Sequence, residues 1–337
     1  QDGDEDDPEC EVEELDLRNG ILKALKFLFK EHGRADTLVF LPGEREIMDI
    51  AAFLKKAHLP NTEILPLYAR LATAEQNKIF SPHSTVRVVL CTNVAETSLT
   101  VPGIKYVIDP GTARISRYSP RTKVQRLPVE KISQASANQR KGRCGRVSEG
   151  VCVRLYSEED FLSRTEFTDP EILRTNLAAV ILQMVALHLG NITKFPFIDP
   201  PQMRQVTDGI RLLEEVGAIN DAKGKGTDEI ELTKIGVALS KIPADPRLSR
   251  MLVQADKEGA LSEVLVIVSA LAVMDPRERP LDKQEQSRQA HHRFDDEKSD
   301  FLSYLNLYKY ICQLQTKMSN SALRKRLKAE YISYLRV

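Results

Sequence analysis

Thr37-Leu38-Val39-Phe40-Leu41-Pro42-Gly43-Glu44-Arg45-Glu46-Ile47 opens as an unbroken apolar run, turns at a proline and a glycine, and continues in charged residues. An apolar run without alternation reads as a strand buried on both faces, and Glu44 to Ala57 reads as the helix that follows it. The same unit recurs downstream. Strands are expected at Glu63 to Leu67, Arg87 to Cys91, Tyr106 to Ile108 and Val151 to Tyr156. Helices are expected around Ala74 to Phe80 and from Gln134 to Arg146. Upstream, Ile21, Leu22, Leu25, Leu28 and Phe29 recur at helical spacing. Apolar strands separated by helices predict an α/β fold on a parallel sheet covered on both faces. Ligands of such sheets lie at the C-terminal ends of the strands.

One segment interrupts this alternation. Ala113 to Tyr118 and Lys123 to Leu127 read as a hairpin around Ser119-Pro120-Arg121. Its Arg114, Arg117, Arg121, Lys123 and Arg126 are too many charges for a core strand, so it is expected to project from the sheet. Beyond about Phe161 the strands nearly vanish. Pro170 to His188 reads as one long amphipathic helix with Asp169 as its N-cap. After Asp199-Pro200-Pro201 come a second helix to Val216, a turn-rich Asn220 to Asp228 and a short apolar strand, Glu229 to Leu232. Helix, helix and hairpin outline a winged helix. From Asp245 on, nearly everything reads as helix, and no period of 20 to 50 residues repeats, so a bundle is expected rather than a solenoid.

Composition sets the class. The 337 residues suffice for two or three domains, and 42% hydrophobic with 28% charged residues is the balance of a soluble globular protein. The most apolar stretch, Leu177 to Leu189, is interrupted by Gln183 and His188, too soon for a membrane span. The chain opens with acids, unlike a signal peptide. Cys10, Cys91, Cys144, Cys152 and Cys312 form no C-x-x-C pair, which argues against zinc and disulfides and for a reducing cytoplasm. The pair His291 and His292 reads as solvated helix surface, and no metal site is expected.

The net charge of zero conceals an uneven distribution. Residues 1 to 16 hold ten acids and no Lys or Arg, and read as a linker or disordered leader. Residues 114 to 146 hold ten Lys or Arg and a single acid, Glu130. On charge alone such a segment suits a solvated face and a phosphate-binding face equally well.

Gln139-Arg140-Lys141-Gly142-Arg143-Cys144-Gly145-Arg146 is more specific. On a helix, positions 139, 143 and 146 stand at i, i+4 and i+7, so one amide and two guanidiniums would share a face. Two arginine forks on one rigid face suit a polyphosphate. Two glycines inside such a helix cost about 1 kcal/mol each relative to alanine, which a merely solubilising helix has no reason to bear.

With these residues the chain resembles a known family. Ser136 to Arg146 resembles motif VI of the DEAH-box helicases. Cys91-Thr92-Asn93-Val94-Ala95-Glu96-Thr97-Ser98-Leu99-Thr100 resembles their motif V, and Leu38 to Ile47 their motif IV. The similarity continues through Pro170 to Leu177 and covers the chain from about Asn19 to its end. Arg114 to Leu127 and Asp275-Pro276-Arg277-Glu278-Arg279-Pro280 are similar to the bacterial HrpA type.

The resemblance implies an acidic leader at 1–18, a second RecA-like lobe at 19–163, a winged helix at 164–241 and a helical, ratchet-like bundle at 242–337. It implies an ATP-dependent RNA helicase motor, with other NTPs admissible and Mg2+ held mainly by a first lobe that this chain does not contain. Gln139 would position the attacking water, and Arg143 and Arg146 would reach the γ-phosphate. Ser98 and Thr100 match positions near the nucleotide. Phe80 matches the aromatic that covers the adenine, and a core Phe closing its helix stands beside that assignment. Pro102 replaces an acid that some relatives carry, which removes a ribose contact there. Single-stranded RNA would be held through its backbone at Gly43, Thr92 and Asn93. Arg114, Arg117 and Arg121 would grip it where the strands part, or the hairpin would act as a steric wedge. The implied partners are single-stranded RNA, including ribosome-associated RNA, and the first lobe; no membrane is implied. Proteins of this type usually continue well past the point matched by Val337, so a cut there is expected.

No G-x-x-x-x-G-K-[ST] and no D-E-x-H occurs in the sequence, so the chain alone is expected to hydrolyse ATP negligibly. Two other functions compete with the motor half. An RNA-binding or partner-docking module with a vestigial lobe has no need to keep Gln139, Arg143 and Arg146 together. A dinucleotide enzyme needs a G-x-G-x-x-G after its first strand, which is absent.

Overall fold

A computed structural model describes residues 16–337, apart from 72, 120, 147, 221–229, 281 and 282. The expected acidic leader therefore lies almost entirely outside the described residues. The chain divides into two compact units. One takes the residues up to Ala69, Gln76–Arg114 and Val129–Thr168; the other takes Arg70–Glu75, Ile115–Pro128 and Asp169–Val337.

The first unit is built on a five-stranded parallel sheet in the order β2-β3-β1-β4-β9. Its strands are β1 (Thr37–Phe40), β2 (Thr62–Leu67), β3 (Val86–Cys91), β4 (Tyr106–Asp109) and β9 (Val151–Arg154). Registers such as Phe40 beside Cys91 and Val39 beside Ile108 align the strand ends. Each residue of β1 and β4 is buried, as unalternated strands require. Leu38, Phe40, Leu67, Val89, Cys91 and Val107 form the core of one face. α1 (Leu17–Glu31) buries Ile21, Ala24, Leu25 and Leu28, the stripe its spacing predicts. α2 (Glu44–Lys56) starts with Glu44 and Glu46 and ends with Lys55 and Lys56, each suited to its end of the helix dipole. α3 (Thr73–Phe80) follows β2. The result is the parallel α/β sheet that the unalternated strands predict.

One expectation needs correction here and a second gains detail. α4 spans Gln134–Lys141, not Gln134 to Arg146. Gly142 is its C-cap, and Arg143 to Arg146 lie in turns and bends beyond it. The glycines end the helix instead of burdening its interior, so residues 139, 143 and 146 do not share a helical face. The hairpin also forms two separate ladders. β5 (Thr112–Arg114) pairs with β8 (Val129–Lys131) in the first unit. β6 (Arg117–Ser119) pairs with β7 (Val124–Arg126) in the second, where the Tyr118 N–H donates to the Arg174 carbonyl at 2.8 Å. Neither ladder joins the five-stranded sheet.

After α5 (Glu158–Ser163), the second unit replaces the long helix expected from Pro170 to His188 by a short 3-10 turn, Glu171–Leu173, and α6 (Ala178–Ala186). The carbonyls that would continue a helix are taken elsewhere. Leu173 accepts from Gln205 Nε2 and Arg174 from Tyr118 N. Asn176 Oδ1 then accepts from Ala178 N and starts α6, so Asp169 is not a helix cap. α6 packs with α7 (Met203–Glu215) and α8 (Lys234–Ser240) around Leu177, Ile181, Leu182, Leu212, Leu213 and Leu239. The turn at 221–228 and Glu229 lie outside the described residues; the expected strand survives as one bridge, Ile219 to Leu232. α9 (Pro246–Lys257), α10 (Leu261–Ala272), α11 (Gln284–His292), α12 (Asp300–Gln315) and α13 (Asn320–Ala329) complete a helical C-terminal region.

Candidate functional site

Glu96 lies just past the C-terminal end of β3, after the 3-10 turn Asn93–Ala95, and three donors from α4 and its extension converge on it. Ser136 Oγ donates to Glu96 Oε1 at 2.6 Å and Arg140 Nε to Oε2 at 3.0 Å. Arg143 Nη2 donates to the Glu96 backbone carbonyl. Arg140, only 1% exposed, also donates to Asp109 Oδ1 at 2.8 Å and to the Thr112 carbonyl at 3.2 Å, and its guanidinium lies over the Phe40 ring. Burial alone would lower this guanidinium, but Asp109 and Glu96 more than offset it and hold it above its ordinary value. Asp109 is 0% exposed; it accepts from Gly111 N at 2.9 Å and from the Tyr156 hydroxyl at 3.1 Å. Burial first, then the Asp109 charge, pushes the Tyr156 hydroxyl well above its usual range.

Arg143 sits at the rim of this network. Its Nη1 is buried and makes no hydrogen bond. Burial, and then Arg146, depress its guanidinium. An unmatched buried donor on a cation is costly, and a second cation nearby adds repulsion. Arg146 itself is exposed and donates to Thr100 Oγ1 at 2.6 Å. Ser98 is exposed, its hydroxyl 3.5 Å from that of Thr97. Gln139 is exposed on α4. The structure therefore gathers Arg143, Arg146 and Thr100, with Gln139 on the adjoining helix, through loop contacts in place of a common helical face. Phe80, at the end of α3, is 41% exposed and does not close its helix as a core residue.

The other expected residues fall into two groups. Gly43 and Thr92 follow the adjacent strands β1 and β3, with Leu41 N donating to Cys91 O at 2.7 Å. Thr92 is half-buried and Asn93 exposed. Gly43 caps α2 in an extended conformation that any residue adopts, and its close neighbours are the ends of two flexible side chains. A Cβ there would lie 2.7 Å from Arg114 Nε and 2.8 Å from Glu46 Oε2. The hairpin cations form the second group. Arg114 pairs with Glu46 at 3.1 Å, Arg117 with Asp169 at 2.5 Å and Lys123 with Glu215, while Arg121 is exposed with no ion pair among the described residues.

Glu96, Arg140 and Asp109 were not singled out from the sequence. One signal was present: Asp109 ends the otherwise apolar Tyr106-Val107-Ile108, and a carboxylate in a core strand demands a partner. No group of three His, Cys, Asp or Glu among the described residues could hold a metal. A cavity of about 730 Å³ is lined by Met184, His188, Ile230, Val237 and neighbours and by none of these side chains.

Residues 20–148 match the family described as the helicase conserved C-terminal domain, and 245–304 the helicase-associated, ratchet-like domain HA2. The chain is 60% identical over 334 residues to the ATP-dependent RNA helicase HrpA of Escherichia coli (strain K12), covering 98% of this chain and 25% of that protein. It is 58% identical over 330 residues to the HrpA homolog of Haemophilus influenzae, again covering 98% of this chain and 25% of the relative. The crystal structure of the E. coli DExH-box NTPase HrpB superposes with a TM-score of 0.67 at 29% identity, covering 77% of this chain and 31% of that one. The chain thus spans about a quarter of the length of the curated relatives it matches.

Proposed function

The chain belongs to the DEAH-box helicases of the HrpA type, and from that membership we propose that it is the arginine-bearing half of an ATP-dependent RNA helicase motor. The observation that carries this is Arg143: a buried, unmatched guanidinium nitrogen with a second arginine close enough to depress it. A phosphate oxygen would supply the missing acceptor and relieve the repulsion at once. In the complete protein Arg143 and Arg146 donate to the terminal phosphate of ATP, Gln139 orients the attacking water, Ser98 and Thr100 line the nucleotide and Phe80 covers its base. ATP supplies the driving hydrolysis; its Mg2+ and its main phosphate cradle belong to the other lobe. Such arginines stabilise charge that develops in phosphoryl transfer.

Single-stranded RNA lies against Gly43, Thr92 and Asn93, gripped through its backbone, with Arg121 an exposed hairpin cation that makes no ion pair among the described residues. The region 164–241, where α6, α7 and α8 share a core, serves as a winged helix, and 242–337 as a ratchet-like bundle. The unpaired thiols of Cys91, Cys144, Cys152 and Cys312 and the similarity to bacterial relatives favour work in a bacterial cytoplasm. Among the described residues no helix is long and apolar enough to cross a membrane.

The test uses the full-length protein carrying Arg143→Ala or Arg146→Ala. RNA-stimulated phosphate release is expected to fall by about 10³-fold. RNA binding at fixed salt should change by no more than a single lost cation explains. Turnover close to wild type in both variants would sink the proposal.

A further inference from the structure

α4 stops at Lys141, and the Arg143 N–H still donates to the Arg140 carbonyl at 3.0 Å, so what is left to fix is the reach of its side chain. What holds it is the backbone carbonyl of Glu96, on a different segment. That carbonyl is itself held, since the same residue's carboxylate is clamped by Ser136 at 2.6 Å and Arg140 at 3.0 Å and is largely buried. Arg140 in turn is fixed by Asp109 and by the carbonyl of Thr112, the first residue of β5 at the base of the hairpin. A continuous path of hydrogen bonds inside one unit thus runs from Thr112 through Arg140 to Glu96 and ends on the arginine whose second nitrogen is unmatched.

We infer that Glu96 is a positioning residue: its carboxylate, locked by Ser136 and Arg140, sets where its own carbonyl holds Arg143, and so sets the reach of that arginine toward phosphate. The inference rests on the phosphate role of Arg143 proposed above and adds what aims it. Glu96 touches no phosphate and moves no proton. It acts by geometry, and misplacing a reacting group by about 1 Å costs on the order of 10²-fold in rate.

A kinetic double-mutant cycle in the full-length protein tests it. Glu96→Ala removes the clamp; RNA-stimulated kcat is expected to drop about 10²-fold, with the KM for ATP and the RNA affinity nearly unchanged. Glu96→Gln keeps both contacts, because its amide oxygen accepts from Arg140 while its NH2 donates to the Ser136 hydroxyl; it should recover most of the rate. In an Arg143→Ala background Glu96→Ala should cost nothing further, since both changes act through one side chain. Losses that multiply, a wild-type rate in Glu96→Ala, or RNA binding falling in step with kcat would each overturn the positioning role. If Glu96→Ala does not fold, Ser136→Ala takes its place in the cycle. Should Arg143→Ala itself turn over normally, the phosphate role fails and this inference with it. An Arg143→Ala collapse combined with multiplicative Glu96 losses removes the positioning role alone.

Discussion

The stretch from Arg114 to Arg126 carries four arginines and a lysine, and the stretch from Arg140 to Arg146 three arginines and a lysine. As charge they are nearly equivalent; as structure they differ in where their partners sit. In the hairpin, Glu46, Asp169 and Glu215 meet Arg114, Arg117 and Lys123 at partly exposed positions. In the second stretch one arginine is fully buried between two carboxylates, the next is anchored by one nitrogen with the other unmatched, and the last is exposed. Counting cations therefore says little about binding. What matters is whether a guanidinium already has its acceptors, because a paired cation must break one contact to make another.

The largest effect that could break this comparison lies at Arg140. Arg140→Ala leaves Asp109 and Glu96 buried without their counter-charge and should cost about 3–5 kcal/mol. The chain has no tryptophan, so urea unfolding followed by circular dichroism measures it. A cost under about 1 kcal/mol would show that the buried network contributes no more than an exposed pair. Next in size is Gly150→Ala. A Cβ there would sit 2.1 Å from the Cys144 carbonyl oxygen and 2.7 Å from that of Lys105, backbone atoms that cannot step aside. A loss of about 1–3 kcal/mol is expected, and in the full-length protein a lower RNA-stimulated turnover as the Cys144 to Arg146 segment is displaced.

The hairpin should respond in affinity more than in stability. Glu215→Gln breaks the ion pair that Lys123 makes. Single-stranded RNA binding should then steepen in its salt dependence by about 0.7 per cation released to phosphate, at less than about 1 kcal/mol in stability. Arg121→Ala should lower the slope by a similar amount, and Arg117→Ala by less. Equal slopes for the two arginine variants would remove the distinction between paired and unpaired cations. The smallest effect is in acid. Hydrogen bonds from Lys131 and then Arg164 hold the Asp160 carboxyl below its ordinary value of 3.8. The stabilisation is present above pH 3.8 and is lost as pH falls through the lower folded value, because the unfolded chain takes up the proton first. Thermal melts below pH 4 should decline more gently in Asp160→Asn than in wild type.

Much of the sheet was legible in the sequence because doubly buried strands leave no polar alternation. Thr37 to Leu41 and Arg87 to Cys91 fall within a residue of β1 and β3. The helices failed where side chains or backbone from elsewhere competed for carbonyls. Gln205 and Tyr118 take the carbonyls of Leu173 and Arg174, and the helix expected from Pro170 is cut short. Neither competitor is a sequence neighbour, so no local pattern announces it. At the site, the residues proposed to face phosphate were named from their motif, but the reason for their arrangement was misjudged: Gly142 ends the helix that was expected to align them.

By itself the sequence determined the parallel α/β unit and the helical C-terminal region, since hydrophobic run length and periodicity are local properties. Only the tertiary structure decided which arginine is a strut and which keeps a nitrogen unmatched. Arg140 and Arg143 stand three residues apart with the same side chain. Their difference comes from Asp109 and Glu96, brought in by β4 and by the loop after β3, because a guanidinium's role depends on the acceptors within reach, and those are set by strands distant in the chain.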